Sequence, residues 1–367
     1  MKTASPPFSL RFRTLIHDDD ASGSIGCSGC LDRPHCGGQH VNAALIDCMD
    51  LCCGGPATCG FVCPTGPNFG KRLQEIGGFG FDSVIRTQCL EAPGLPDYVP
   101  LIHHGYSRSG LLARPAVAVP LMQLVDMKRS AARFDRGRLF QNFRLAPGTT
   151  LIATGIDKDE RIERWWRLDD RRAVVRDLIA AGVSLVTVPN FSSVLDAPAH
   201  DGLYAMKRIL LTWAEFVDEG MPAALHVNAR RPRDYERYLS FIVSRPEVRH
   251  ISFEFITGTK RKDRGAWHTD QLCRIAQATD RPLVLVVRGG QRWLPRLRQV
   301  FTQVVSIDAT AHQRAKFRQG AELTGNRLRW ARHSLPLGEP IDVLLAHNID
   351  VCDRHAAGLA SVGTHRQ

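Results

Sequence analysis

The sequence predicts an α/β protein whose larger part is a (β/α)8 barrel-like domain, preceded by an N-terminal cysteine-rich metal-binding lobe. Three observations carry this expectation. From about residue 95 onward, short apolar runs alternate with amphipathic helical stretches, the pattern of βα units. Eight such apolar runs follow one another, the number that closes a barrel. Eight of the eleven cysteines are crowded between positions 27 and 63, where apolar residues are sparse.

Taken in order, the expected division is 1–94 for the cysteine-rich lobe, 95–357 for the barrel and 358–367 for a frayed tail. Strands are expected at 99–103, 116–121, 151–155, 184–189, 223–228, 250–255, 283–288 and 304–308. Helices are expected at 164–181, 203–219, 232–243, 267–278 and 294–301, with Gly182 and Gly220 standing where two of them need a C-cap. The step from the first strand to the second is short and polar, which makes the opening of the barrel its weakest element. An open doubly wound parallel sheet is the alternative architecture. Neither a GxGxxG nor a GxxxxGK[ST] motif occurs, which argues against a dinucleotide or P-loop site.

The cysteines run C-x2-C-x5-C-x11-C-x3-C-C-x5-C-x3-C-P, through Cys27, Cys30, Cys36, Cys48, Cys52, Cys53, Cys59 and Cys63. The opening segment has no apolar core followed by a small-residue cleavage site, so the cytoplasm is the expected location. In a reducing compartment such a density of thiols points to metal ligation rather than disulfides. The adjacent Cys52-Cys53 pair and the closing Cys63-Pro64 favour an iron–sulfur cluster. Zinc is the alternative, although only Cys27-x2-Cys30 is a zinc-type knuckle; His35 or His40 could replace a thiolate. The bland counterpart is a metal that merely staples a lobe too small to hold itself together.

Composition narrows the function classes. With 44% hydrophobic and 23% charged residues over 367 positions, the chain is neither disordered nor fibrous. No run approaches the length of a membrane-spanning helix. The net charge of +11 invites a polyanionic partner, yet all but eight of the 48 basic residues are arginine, as GC-rich coding alone would give. The segments 128–129 and 259–264 are the runs best suited to phosphates.

Alternation within the later strands locates a candidate pocket. His226 and Asn228 alternate with Leu225 and Val227, Ser252 and Glu254 with Ile251 and Phe253, Arg288 with Val287, and Asp308 with Ile307. In a barrel the polar set faces the lumen and gathers at the C-terminal strand ends, where barrel enzymes keep their active sites. His226, Glu254 and Asp308 are therefore the candidate catalytic residues, and Asn190, Asn228, Arg230 and Arg288 the candidate substrate-binding ones. A carboxylate at Glu254 suits proton transfer, and guanidinium groups suit a carboxylate or phosphate. His103, His104, Tyr106 and Asp157 stand near other strand ends. The bland reading of the same residues is a closed network of internal ion pairs.

Two function classes follow. One is a metal-dependent barrel enzyme acting on a small polar or anionic molecule. The other is a metal-stapled nucleic-acid-binding protein that uses its basic surface, and a nucleic-acid-modifying enzyme would combine the two. Several blocks also occur together: Cys52-Cys53-Gly54-Gly55 with Cys59 and Val62-Cys63-Pro64, Tyr98-Val99-Pro100, Thr187-Val188-Pro189-Asn190-Phe191-Ser192, Pro222-Ala223-Ala224-Leu225-His226-Val227-Asn228-Ala229-Arg230 and Val287-Arg288-Gly289-Gly290. In these the chain resembles a group of uncharacterised bacterial proteins known only as a domain of unknown function. That resemblance spans most of the chain and implies no activity, cofactor or catalytic residue.

Overall fold

Eight parallel strands form a ring-like sheet in this computed structural model, which describes residues 74–104, 108–193, 199–256, 262–333 and 335–361. In chain order the strands are β1 (Tyr98–Pro100), β2 (Ala116–Pro120), the short β3 (Val125–Asp126) and β4 (Ala131–Ala132), β5 (Thr150–Thr154), β6 (Val183–Thr187), β7 (Ala223–His226), β8 (His250–Glu254), β9 (Val284–Arg288), β10 (Gln303–Asp308), β11 (Gln319–Thr324) and β12 (Arg327–Arg332). The helices are α1 (Leu121–Leu124), α2 (Arg136–Phe143), α3 (Asp159–Trp166), α4 (Arg171–Ala180), α5 (Ala199–Asp218), α6 (Pro232–Ser244), α7 (Lys262–Ala278), α8 (Leu294–Leu297), α9 (Thr310–Lys316) and α10 (Asp342–Ser361).

The large sheet runs β1-β10-β9-β8-β7-β6-β5-β2, with every neighbouring pair parallel. Its two ends meet. Leu101, just past β1, bridges Ala118 of β2, and the Ile102 N–H donates to the Ala118 carbonyl at 3.0 Å. The order follows the chain around the ring and lacks the reversal of a doubly wound sheet. Helices link β5 through β9, as βα crossovers require. Among its described residues the step from β1 to β2 has no helix, and α10 packs against β1 instead.

Register assigns the faces. Val99, Leu101, Ala116, Ala118, Ile152, Leu185, Ala224, Val286, Val305 and Ile307 form one buried cluster drawn from seven ring strands, which makes the deep interior apolar. Thr154 and Thr187 lie one inward position above Ile152 and Leu185, and the Thr187 hydroxyl donates to that of Thr154 at 3.3 Å. The interior thus changes from apolar to polar towards the C-terminal strand ends.

Three local features differ from the sequence expectation. The single helix expected over 164–181 is two, because the Asp170 carboxylate accepts from the Ala173 N–H at 2.9 Å and starts α4 afresh. The antiparallel hairpin β11–β12 was not expected. Its two-residue turn places Gly325 at φ +56°, the left-handed conformation that suits hairpin twist. Finally, α10 continues through Ser361 into the expected tail.

The described chain groups into two compact units. Among the described residues, one comprises 74–83, 192–193, 199–208 and Ala229–Tyr238; the other comprises those of 84–191, Ile209–Asn228 and 239–361 and holds every strand named above. Within the first unit, the fully buried Lys207 donates to the Gly80 carbonyl and the Ser83 hydroxyl, and Tyr204 donates to Glu75 at 2.7 Å. Burying an ammonium group requires such partners.

Candidate active site at the barrel mouth

The ends of β6 to β9 bring one set of side chains together. Glu254 and Arg288 are register partners on β8 and β9, so their side chains leave the sheet on the same face. One strand over, His226 pairs in register with Ser252, whose hydroxyl lies 3.2 Å from His226 Nδ1. His226 is 1% exposed, one inward position deeper than Glu254. Above it, Asn228 donates through Nδ2 to the Phe191 carbonyl at 2.7 Å and to Asn190 Oδ1 at 2.8 Å. Asn190 in turn donates to Glu254 Oε2 at 3.3 Å. Two amides therefore hold the orientation of one carboxylate.

Asn190 is placed by a close backbone approach. The Gly155 N–H donates to the Thr187 carbonyl at 2.8 Å, and the Asn190 N–H donates to the Gly155 carbonyl at 3.1 Å. A Cβ at Gly155 would stand 2.5 Å from Thr187 O, Val188 C and Pro189 N, so only glycine fits between these chains.

Arg288 donates through Nη1 to the Ile156 carbonyl at 3.0 Å, while its buried Nε–H has no hydrogen-bond partner among the described residues. Burial works against the Arg288 charge, and the carboxylates of Glu254, Asp157 and Asp308 offset that. His103 adds to the same electrostatic neighbourhood. Burial lowers its pKa, and the positive charges of Arg288 and Lys316 lower it further. Its ring stacks on His312 of α9 with centroids 5.6 Å apart, and burial followed by the influence of His103 pushes His312 down to about 3.

Beside these residues, a cleft of about 470 Å³ is lined by His104, Gln123, Lys128, Arg133, Arg161 and Arg164, with Met122 and Phe134 among its apolar walls. Gln123 joins it to the mouth by donating to His103 Nδ1 at 3.2 Å and accepting from the His104 N–H at 3.1 Å. Lys128, from one of the two basic runs marked in the sequence, lies here.

Asp308, expected among these residues, does not belong to this set. Asp308 leaves β10 on the opposite face from Arg288, because Ile307, not Asp308, is the register partner of Arg288. The Asp308 carboxylate accepts from Tyr98 at 3.3 Å and from the Thr310 hydroxyl at 2.6 Å. The polar alternation read along β10 therefore marks the outer face, and Asp308 does not share the cavity expected for it. Arg230 belongs to the first unit, where its Nε donates to the Ser193 carbonyl at 2.9 Å. Tyr106 lies outside the described residues. His312 and Gln123 were missed; His312 follows the last ring strand by one helical turn, which is the signal that marks it.

Cys27, Cys30, Cys36, Cys48, Cys52, Cys53, Cys59 and Cys63 also lie outside the described residues. Among the described residues, no group of three or more His, Cys, Asp or Glu is arranged to hold a metal ion, and Cys89, Cys273 and Cys352 are free thiols. Burial and the nearby Asp308 push Cys352 up to about 12, which keeps that thiol protonated. No described helix is long and apolar enough to cross a membrane. Comparison of the chain with protein-family models and with curated proteins finds no match to either.

Proposed function

We propose that the protein is a (β/α)8-type barrel enzyme acting on a small polar molecule that carries a carboxylate or phosphate, with a metal centre, iron–sulfur in preference to zinc, held by the cysteines between 27 and 63. One observation carries the reading. Glu254, oriented by Asn190 and Asn228, stands next to a guanidinium whose buried Nε–H has no hydrogen-bond partner among the described residues. A carboxylate that accepts from the Asn190 amide suits proton transfer, and the open guanidinium donor suits an anionic or carbonyl oxygen. The cleft at Lys128 and Arg133, lined also by Asp126 and by an Arg161 paired with Asp157, adds a modest preference for negative charge away from the mouth.

A nucleic-acid surface is the weaker reading, because many arginines on α3 and α4 are spent on local acids. Arg164 pairs with Glu160, Arg171 with Glu215, and Arg172 with Asp218 and Glu219.

The test uses Glu254→Gln and Arg288→Met in the full-length protein purified without oxygen. Both variants are expected to keep the parent Tm and metal content while losing the binding of small carboxylates. If both unfold instead, the pair is a structural ion pair and the enzyme reading loses its support. Metal analysis and thiol titration of the same preparations test the cysteine segment, where stably paired cysteines would exclude the metal.

A further inference from the structure

Asp308 lies on the outer face of the sheet, and what it borders there is a second cleft. This cleft has a volume of about 630 Å³ and opens between the C-terminal ends of β9 and β10 and the hairpin strand β12. Arg327, Arg329 and Trp330 line it from the hairpin, His355 from α10, and the Gly289–Gly290 backbone from the end of β9. We propose that this cleft is a binding site for a phosphorylated heteroaromatic small molecule, a nucleotide. The inference does not depend on Glu254 and Arg288 being catalytic.

Four observations support it. Arg327 and Arg329 are exposed, share one face of β12 at alternate positions, and have no ion-pair partner among the described residues. Two guanidinium groups side by side match the forked geometry of a phosphate. The partly exposed Trp330 lines the same cleft from the opposite face of β12 and offers a ring for stacking a base, with Arg314 5.5 Å from its centroid. His355 is 9% exposed, and its buried Nδ1 has no hydrogen-bond partner among the described residues. An orphaned polar atom in the wall of a cleft calls for a ligand group. Asp308 adds an acceptor oriented by Tyr98 and Thr310, suited to a ring N–H or a sugar hydroxyl.

The place in the fold agrees. The cleft sits after the last two strands of the ring, at the end where barrel proteins often hold phosphates. Gly289 and Gly290 take φ +77° and +69°, so the chain turns there in a conformation that other residues rarely adopt. A volume near 630 Å³ is within the range of small-molecule sites.

The experiment is calorimetric titration of the full-length protein with ADP, adenosine and inorganic phosphate. ADP is expected to bind more tightly than adenosine or phosphate alone. The double variant Arg327→Ala with Arg329→Ala is expected to weaken ADP by about tenfold or more and to leave adenosine unchanged, as loss of charge-assisted bonds to phosphate requires. Trp330→Leu should weaken ADP and adenosine and spare inorganic phosphate. Both arginines are exposed, so an unchanged Tm is expected for the double variant. Glu254→Gln should bind ADP as the parent does, which separates this site from the barrel mouth. Failure of ADP and phosphate to bind at millimolar concentration would overturn the proposal. So would equal ADP affinity in the double-arginine variant, or loss of ADP binding in Glu254→Gln.

Discussion

Asn190 and Glu254 stand 64 residues apart in the chain and meet side chain to side chain at 3.3 Å. The Asn190 amide cannot turn over without loss, since its Oδ1 is already taken by Asn228. The loops after β6 and β7 are therefore tied to the end of β8 at one carboxylate. Such coupling has a thermodynamic signature that a set of independent contacts lacks.

A double-mutant cycle measures it. Asn190→Ala, Asn228→Ala and their combination, compared by denaturant unfolding, are expected to be non-additive by about 1 kcal/mol. Each single change removes the same relay, so the second costs less after the first. Strict additivity would mean that the two amides act separately.

Gly155 gives a sharper steric prediction. Gly155→Ala forces a Cβ to within 2.5 Å of three backbone atoms of the segment that leads to Asn190. A cost of about 1–3 kcal/mol is expected from overpacking, because the clashing atoms are backbone and cannot rotate away. Gly137→Ala in α2 is the matched control. There the nearest atom is an Asp135 oxygen at 3.4 Å, and the change is expected to be neutral or stabilising. Equal losses of Tm in the two variants would contradict the geometry.

These placements also show what the sequence could and could not reveal. All eight ring strands were legible, because each is an apolar run bounded by turn or helix signals. The polar set on β7, β8 and β9 was legible as well, since Leu225, Ile251 and Leu285 must be buried on the outer face, leaving His226, Glu254 and Arg288 to the interior. The same logic inverted on β10. Polarity marks the lumen only where the outer face meets apolar partners, and outside β10 stand Tyr98 and Thr310, which satisfy Asp308. Ring closure was expected only from the count of eight strands, not from any particular contact. It rests on Leu101 bridging Ala118 across a connection with no helix to announce it. The hairpin was missed for a related reason: most of its residues are at least partly exposed, so neither face carries an apolar stripe, although Gly325-Asn326 is a turn signal.

Asn348 is the hairpin's anchor. Wholly buried in α10, it donates to the Gln319 carbonyl at 2.9 Å and accepts from the Ala321 N–H at 2.8 Å. Asn348→Ala would leave a backbone N–H and C=O of β11 without those partners, at a cost of about 1–3 kcal/mol. Because one element carries that loss, the expected readout is local. Trypsin should cut after Arg327 and Arg329 faster than in the parent, with a smaller change in global Tm. An unchanged cleavage rate would show that the hairpin is held by its other contacts.

The His103–His312 stack makes stability depend on pH, with a sign that can be worked out. Burial holds His312 neutral down to about 3 in the folded protein, and it lowers His103 as well. In the unfolded chain both rings take up a proton near the ordinary histidine value, about 6.5. Between those limits the unfolded state binds more protons than the folded one, so acid favours unfolding. The penalty is absent above about pH 6.5 and grows as pH falls, levelling off for His312 only near the folded value of about 3. Arg108 and Lys316 oppose a positive charge on His312, and Arg288 and Lys316 oppose one on His103, whereas Asp157 opposes the shift at His103 alone. Thermal unfolding from pH 7 to pH 4 is therefore expected to show a steep fall in Tm. His312→Gln removes one titrating ring while keeping a polar side chain of similar size, and it should flatten that fall even if it lowers Tm at pH 7. The same slope in parent and variant would mean that His312 titrates alike in the folded and unfolded chains, and that its burial against His103 carries no electrostatic cost.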